Sequence, residues 1–220
     1  MQPDFWHERW HNKQIGFHQS EINLHLQEFW PAINSADGGR VFVPLCGKSR
    51  DMLWLRAQGR EVVGIELSLS AVQAFFDENG LRVRISSNDR FSVYESDGIC
   101  IYCGDFFDLA AADLAVAGIT AVYDRASLIA LPPEMRAAYA YHMHGLLGPG
   151  TKTLLIAFEY PQHEMAGPPF SVHEEEVRKL YGEHCAIEVL RVVDILDQEP
   201  RFRDKGLTSL QEKIYALTYN

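Results

Sequence analysis

A glycine and a glutamate define the chemistry this sequence can support. Gly47 follows the apolar run 41–45, and Glu66 closes a second apolar run, 61–65, about twenty residues further on. Between them, residues 49–58 have the pattern of a helix. A strand, a glycine turn, a helix and a second strand ending in an acid form a nucleoside-binding arrangement. The turn lets a ligand approach the backbone, and the acid chelates ribose hydroxyls. An ordinary α/β crossover with an incidental glutamate is the alternative, since one glycine and one acid are weak evidence taken singly.

Two common ligands are excluded by what this stretch lacks. Gly47, Lys48 and Ser49 match the second half of a Walker loop, but its first glycine would fall on Phe42. Without that glycine the backbone cannot wrap phosphates. A dinucleotide requires a Gly-x-Gly-x-x-Gly turn, and only Gly47 is present. A nucleoside without phosphates needs neither device, and S-adenosylmethionine is the common example.

Further polar residues are expected at the carboxyl ends of two later strands: Gly104-Asp105 after 99–103, and Asp124-Arg125 after 119–123. Ligands of open α/β sheets sit at such ends, so four aligned ends define one crevice. Asp105 can accept from an adenine amine with Phe106 stacked beside it, or it can cap a following helix. Arg125 can favour an anionic acceptor, or it can be tied up by Asp124 or Glu66. His7-Glu8-Arg9-Trp10-His11 matches the zinc-hydrolase pattern His-Glu-x-x-His, but no third ligand is evident. Cys100 and Cys103, three apart on a strand, point to opposite faces and cannot grip one ion. His18 and His25 are expected on a helix surface or in a satisfied interior. We therefore expect no metal.

The elements around these residues alternate strand and helix, which implies an α/β fold with a mainly parallel sheet. Runs such as VFVPL and VVGI are apolar throughout, as strands covered on both faces require. Residues 4–30 are rich in aromatics and predict one or two helices covering the crevice. Residues 82–95 are polar and irregular, consistent with a hairpin insertion. Residues 187–196 and 213–218 predict a closing strand pair. A chain of 220 residues suits one domain, spanning 1–220 with 1–30 as its cover. The net charge of −10 argues against nucleic acid. No apolar run is long enough to span a membrane, and MQPDFWHERW does not begin as a secretion signal. Four scattered cysteines do not form a disulfide framework. A cytoplasmic monomer is expected.

The motifs VFVPLCGKSRDMLWL, VVGIELS, IYCGDFFDL, VYDRASLIALPPEMRAAYA and FWHERWHNKQIGFHQ, with GPPF at 167–170 and the final EKIYALT, resemble the thiopurine S-methyltransferase family. The resemblance covers essentially the whole chain, and PLCGK with YDR is its specific part. It implies the Rossmann-like class I S-adenosylmethionine-dependent methyltransferase fold: a seven-stranded, mostly parallel sheet with an antiparallel last strand, helices on both faces and an N-terminal helical lid. Beside the Gly47 turn, it implies cofactor contacts at Trp10, Leu45, Glu66 and Arg125, with Asp105 and Phe106 near the adenine. Phe17 and Arg125 would face the acceptor, a small aromatic or heterocyclic thiol. The N-terminus is shorter than in animal members and is similar to the bacterial branch. The alternatives are acceptors such as small selenium or tellurium species and, more distantly, a zinc hydrolase built on His7 and His11.

Overall fold

The computed structural model describes residues 3–33, 39–115 and 118–220. In chain order the elements are α1 (Pro3–His11), α2 (Leu24–Ile33), β1 (Arg40–Val43), α3 (Asp51–Ala57), β2 (Glu61–Glu66), α4 (Leu69–Glu78), β3 (Arg84–Ser87), β4 (Ser92–Ser96) and β5 (Ile99–Cys103). They continue with α5 (Ala111–Ala115), β6 (Ile119–Arg125), α6 (Pro133–Leu146), β7 (Lys152–Glu159), α7 (Glu174–Tyr181), β8 (Cys185–Asp194), α8 (Pro200–Arg203) and β9 (Gln211–Tyr219).

The described residues form one nine-stranded sheet in the order β3-β4-β5-β2-β1-β6-β7-β9-β8. β5, β2, β1, β6 and β7 pair in parallel, and β9 runs antiparallel between β7 and β8. These are the seven expected strands. The count rises to nine because the polar stretch expected as a hairpin insertion pairs antiparallel with β5 as β3 and β4. Arg84 and Glu95 face each other across this hairpin and form an ion pair. All four residues of β3 are exposed, which gives the sheet a charged and polar edge that resists further pairing.

Side chains alternate between two apolar layers, which explains why the central strands are hydrophobic throughout. Phe42, Val63, Val122 and Leu155 pack with Tyr139, Ala140 and Met143 of α6 and Val177 of α7. Their neighbours Val41, Val62, Ala121, Tyr123 and Leu154 pack with Leu26 and Trp30 of α2, Leu55 of α3 and Phe75 of α4. α2, the second helix of the N-terminal segment, is thus a core element, with Leu26 and Ile33 fully buried. Pro133 opens α6 at its first turn, where its missing N–H costs nothing.

The alternation has its sharpest effect at the end of β6. Asp124 points into the α6 layer, where it is 1 % exposed and accepts a hydrogen bond from the Tyr139 hydroxyl at 2.7 Å. Arg125 points the other way, so the two do not pair. Burial pushes the Asp124 carboxyl from its ordinary 3.8 up to about 6, against the pull of Tyr139 and Ser127.

This carries a sign for stability. The folded protein holds the Asp124 proton up to about pH 6, whereas the unfolded chain releases it near 3.8. Folding therefore takes up a proton between those values, and the group's contribution to stability falls as pH rises through that window. Asp124→Asn should flatten the fall. Urea unfolding of both proteins from pH 4 to pH 7 checks this, and an unchanged pH slope in the variant would exclude Asp124 as its source.

Candidate active site

The chain after β1 turns sharply under the crevice. Leu45 and Gly47 both lie in the left-handed region, at φ 45° and 53°. Ala126, just after β6, does the same at φ 65°. Non-glycine residues held in this conformation mark backbone that the surroundings constrain, and they cluster at functional sites. The two turns are tied together by the Ser127 hydroxyl, which donates to the Pro44 carbonyl at 2.9 Å. At Gly47 a side chain is disfavoured on both counts, φ and space. A Cβ there would lie 3.1 Å from the Trp10 ring of α1.

Glu66 ends β2 beside this turn. One carboxylate oxygen accepts from the Gly47 N–H and the other from the Ser68 N–H, each at 2.8 Å. The residue is 6 % exposed, and burial raises its pKa while the N–H groups of Ser68 and Gly47 pull it back. Each oxygen keeps a second lone pair, the acceptors that a pair of vicinal hydroxyls requires.

Arg125 is fixed from below by Asp51, the first residue of α3 and 1 % exposed. Its Nε donates to Asp51 Oδ2 at 3.3 Å, and its Nη1 donates to the Phe17 carbonyl at 3.3 Å. Asp51 also accepts from the Tyr123 hydroxyl (2.9 Å), the Ser49 hydroxyl (3.1 Å) and the Asn23 N–H (2.9 Å). The partner of Arg125 is therefore Asp51 rather than Asp124 or Glu66. Sequence reasoning missed Asp51 because an acid in a first helical turn reads as a response to the helix dipole.

Trp6, Trp10 and Phe17 close the crevice from above, with Phe17 edge-on to both indoles at 5.9 and 5.5 Å. The loop after α1 has no ladder partner for its carbonyls, and arginines supply the donors. Arg201 binds the Gly16 carbonyl, Arg125 that of Phe17 and Arg50 that of Ser20. Beneath this cover lies a cavity of about 1150 Å³, whose walls include Leu45, Gly47, Glu66 and Arg125 as well as Phe158, Pro168 and Phe202. That volume accommodates a nucleoside-sized ligand and an aromatic ring together.

Of the residues singled out from sequence, Trp10, Phe17, Leu45, Gly47, Glu66 and Arg125 line this one cavity. Asp105 and Phe106 do not. Asp105 Oδ1 accepts from the Phe107 N–H at 2.9 Å and so caps the turn Phe106–Asp108. The Phe106 ring is 3 % exposed and packs against Tyr139 and His142, each at 4.9 Å. The chain leaving β5 turns this ring into the α6 layer rather than into the cavity. His18 and His25 also line the cavity, and His25 Nε2 meets Glu212 at 2.9 Å while its Nδ1 is buried without a partner among the described residues. Burial, then the nearby Lys48, lowers the pKa of His18. His7, Glu8 and His11 are exposed on α1. Among the described residues no group of three or more His, Cys, Asp and Glu is placed to hold a metal ion.

Comparison with known proteins bears on this geometry. The sequence model of the family described as Thiopurine S-methyltransferase (TPMT) matches residues 1–220. A protein named Thiopurine S-methyltransferase from Nitrosospira multiformis is 52% identical over 99% of this chain and 98% of its own length. One of the same name from Pseudomonas fluorescens is 48% identical over 99% of each. Among solved structures, a SAM-dependent methyltransferase from Anabaena variabilis superposes with a TM-score of 0.66 at 14% identity. That superposition covers 99% of this chain and 95% of the other.

The Asp51 junction makes a measurable claim. Asp51→Ala should cost about 3–5 kcal/mol in urea unfolding, the usual cost of leaving a buried charge without its partner. Amide exchange at residues 16–23 should rise with it, because Asn23 and Phe17 are held through the same junction. A loss below about 1 kcal/mol, typical of an exposed pair, would contradict this role.

Proposed function

Because this chain belongs to the thiopurine S-methyltransferase family, we propose that its crevice brings S-adenosylmethionine and an aromatic or heterocyclic thiol together beneath the N-terminal cover. The chain is an S-adenosylmethionine-dependent methyltransferase acting on thiol sulfur. When bound, the cofactor would supply a methyl group on a cationic sulfur, to be transferred in line to the acceptor thiolate with that sulfur leaving as a neutral thioether.

The observation that carries the assignment of the site is the Glu66 carboxylate. Its two oxygens are fixed by separate backbone N–H groups at the edge of a cavity large enough for both ligands. Their remaining lone pairs suit ribose hydroxyls. Gly47 and Leu45 shape the floor against which a nucleoside lies, and Trp10 covers the turn. Phe17 and Trp6 exclude water, which strengthens every electrostatic interaction inside. Arg125 cannot act as a base, since guanidinium stays charged, but it favours an acceptor in its anionic form. No strong base is required: a heterocyclic thiol ionises near neutral pH and loses its proton to solvent. The displacement then depends on alignment more than on covalent help from the protein.

The acceptor is a small molecule, and the net charge of −10 supports a reading without nucleic acid. Among the described residues no helix is long and apolar enough to cross a membrane. The free cysteines Cys46, Cys100, Cys103 and Cys185 support a reducing compartment, in keeping with a single-domain cytoplasmic monomer.

Calorimetry with S-adenosylmethionine tests the cofactor site. Glu66→Gln should weaken binding by about 1–3 kcal/mol, the cost of lost charge-assisted hydrogen bonds; unchanged affinity in a folded variant would remove Glu66 from the ribose. Turnover tests Arg125. Arg125→Ala should slow acceptors of high thiol pKa most, and Arg125→Lys should restore part of the rate. An equal loss across acceptors, matched by lost cofactor affinity, would make Arg125 a cofactor anchor.

A further inference from the structure

The charged side chains that line the cavity are nearly all committed to partners within the protein. Arg125 is bound to Asp51, Arg201 to Glu199 and Glu212 to His25, while Glu66 is held by backbone N–H groups. Glu21 and Lys205 stand exposed at the rim. Arg9 of α1 is the exception. It lines the cavity, is half-buried, and among the described residues forms no ion pair. Its Nε is fully buried and has no hydrogen-bond partner. Its one charge-related contact is the face of Phe5, 4.5 Å from the ring centroid. Stacking engages the flat face of a guanidinium and leaves its in-plane N–H donors unused.

A buried N–H without an acceptor is unfavourable, and at Arg9 the unpartnered Nε–H belongs to a charged fork that an anion can meet. Carboxylate is the anion whose geometry matches the guanidinium fork. We propose that Arg9 is a carboxylate-binding group of the cavity, distinct from Arg125, and receives the carboxylate of a bound ligand. The methyltransferase reading supplies two ligands that can carry one, the amino-acid end of the cofactor and an acidic aromatic thiol. Arg9 would then make the cover helix part of ligand recognition, so that an anion inside the cavity helps to hold the cover down.

The test compares wild type with Arg9→Gln and Arg9→Lys. Calorimetry measures binding of S-adenosylmethionine and of 5′-methylthioadenosine, which lacks the amino-acid end. Steady-state kinetics measures KM for 4-mercaptobenzoate and for its methyl ester. Arg9→Gln should weaken the carboxylate-bearing member of one pair roughly ten- to a hundredfold and spare its counterpart, and Arg9→Lys should recover part of the loss. Loss confined to the first pair assigns the cofactor as the source, and loss confined to the second assigns the acceptor. Equal effects on both members of each pair, or none, would overturn the proposal. If wild type binds the cofactor but methylates neither thiol, the acceptor class is wrong, and the calorimetric pair still decides Arg9.

Discussion

One buried carboxylate holds the working parts of this molecule in register. Asp51 stands at the start of α3, beneath the crevice, and collects donors from the cover (Asn23), the turn after β1 (Ser49) and the end of β6 (Tyr123 and Arg125). A carboxylate so deep is tolerable only when its lone pairs are taken up. This requirement selects one arrangement of cover, turn and strand over near alternatives. The position of Arg125 is therefore set by a group that never faces a ligand.

Strand periodicity does the complementary work of keeping site and core apart. At the end of β6 the charged neighbours Asp124 and Arg125 go to opposite layers, one bonded to Tyr139 inside and one facing the crevice. A single residue step separates a group that affects stability from one that affects chemistry. Beyond β5 it is the capped turn Phe106–Asp108, not alternation, that sends the Phe106 ring into the interior.

What could be read from sequence follows from which signals are local. The central strands were legible because burial on both faces leaves an uninterrupted apolar run, and Glu66 was legible because its distance from Gly47 is fixed by one strand–helix–strand unit. β3 and β4 were legible only as a polar insertion, since an exposed edge strand such as Arg84–Ser87 carries no hydrophobic alternation. The inward turn of the Phe106 ring was not legible, because the direction a chain takes after leaving a strand depends on what fills the layer beside it. Asp51 and the partner of Arg125 were not legible: their contacts join residues 28 and 74 positions apart, with no periodic trace. Arg50 and Arg201 were hidden for another reason, since their acceptors are main-chain oxygens, which every residue possesses.

That last feature has an evolutionary side. The roof of the cavity is fastened through the carbonyls of Gly16, Phe17 and Ser20, and a carbonyl is present whatever side chain its residue bears. Apart from Gly16, where a Cβ would crowd Arg201, side chains along the loop do not take part in these three bonds. Phe17 and His18, which line the chamber, are thereby released from the task of anchoring the loop. A lineage can retune which rings the chamber admits by point changes in its ceiling while the attachment of that ceiling stays constant.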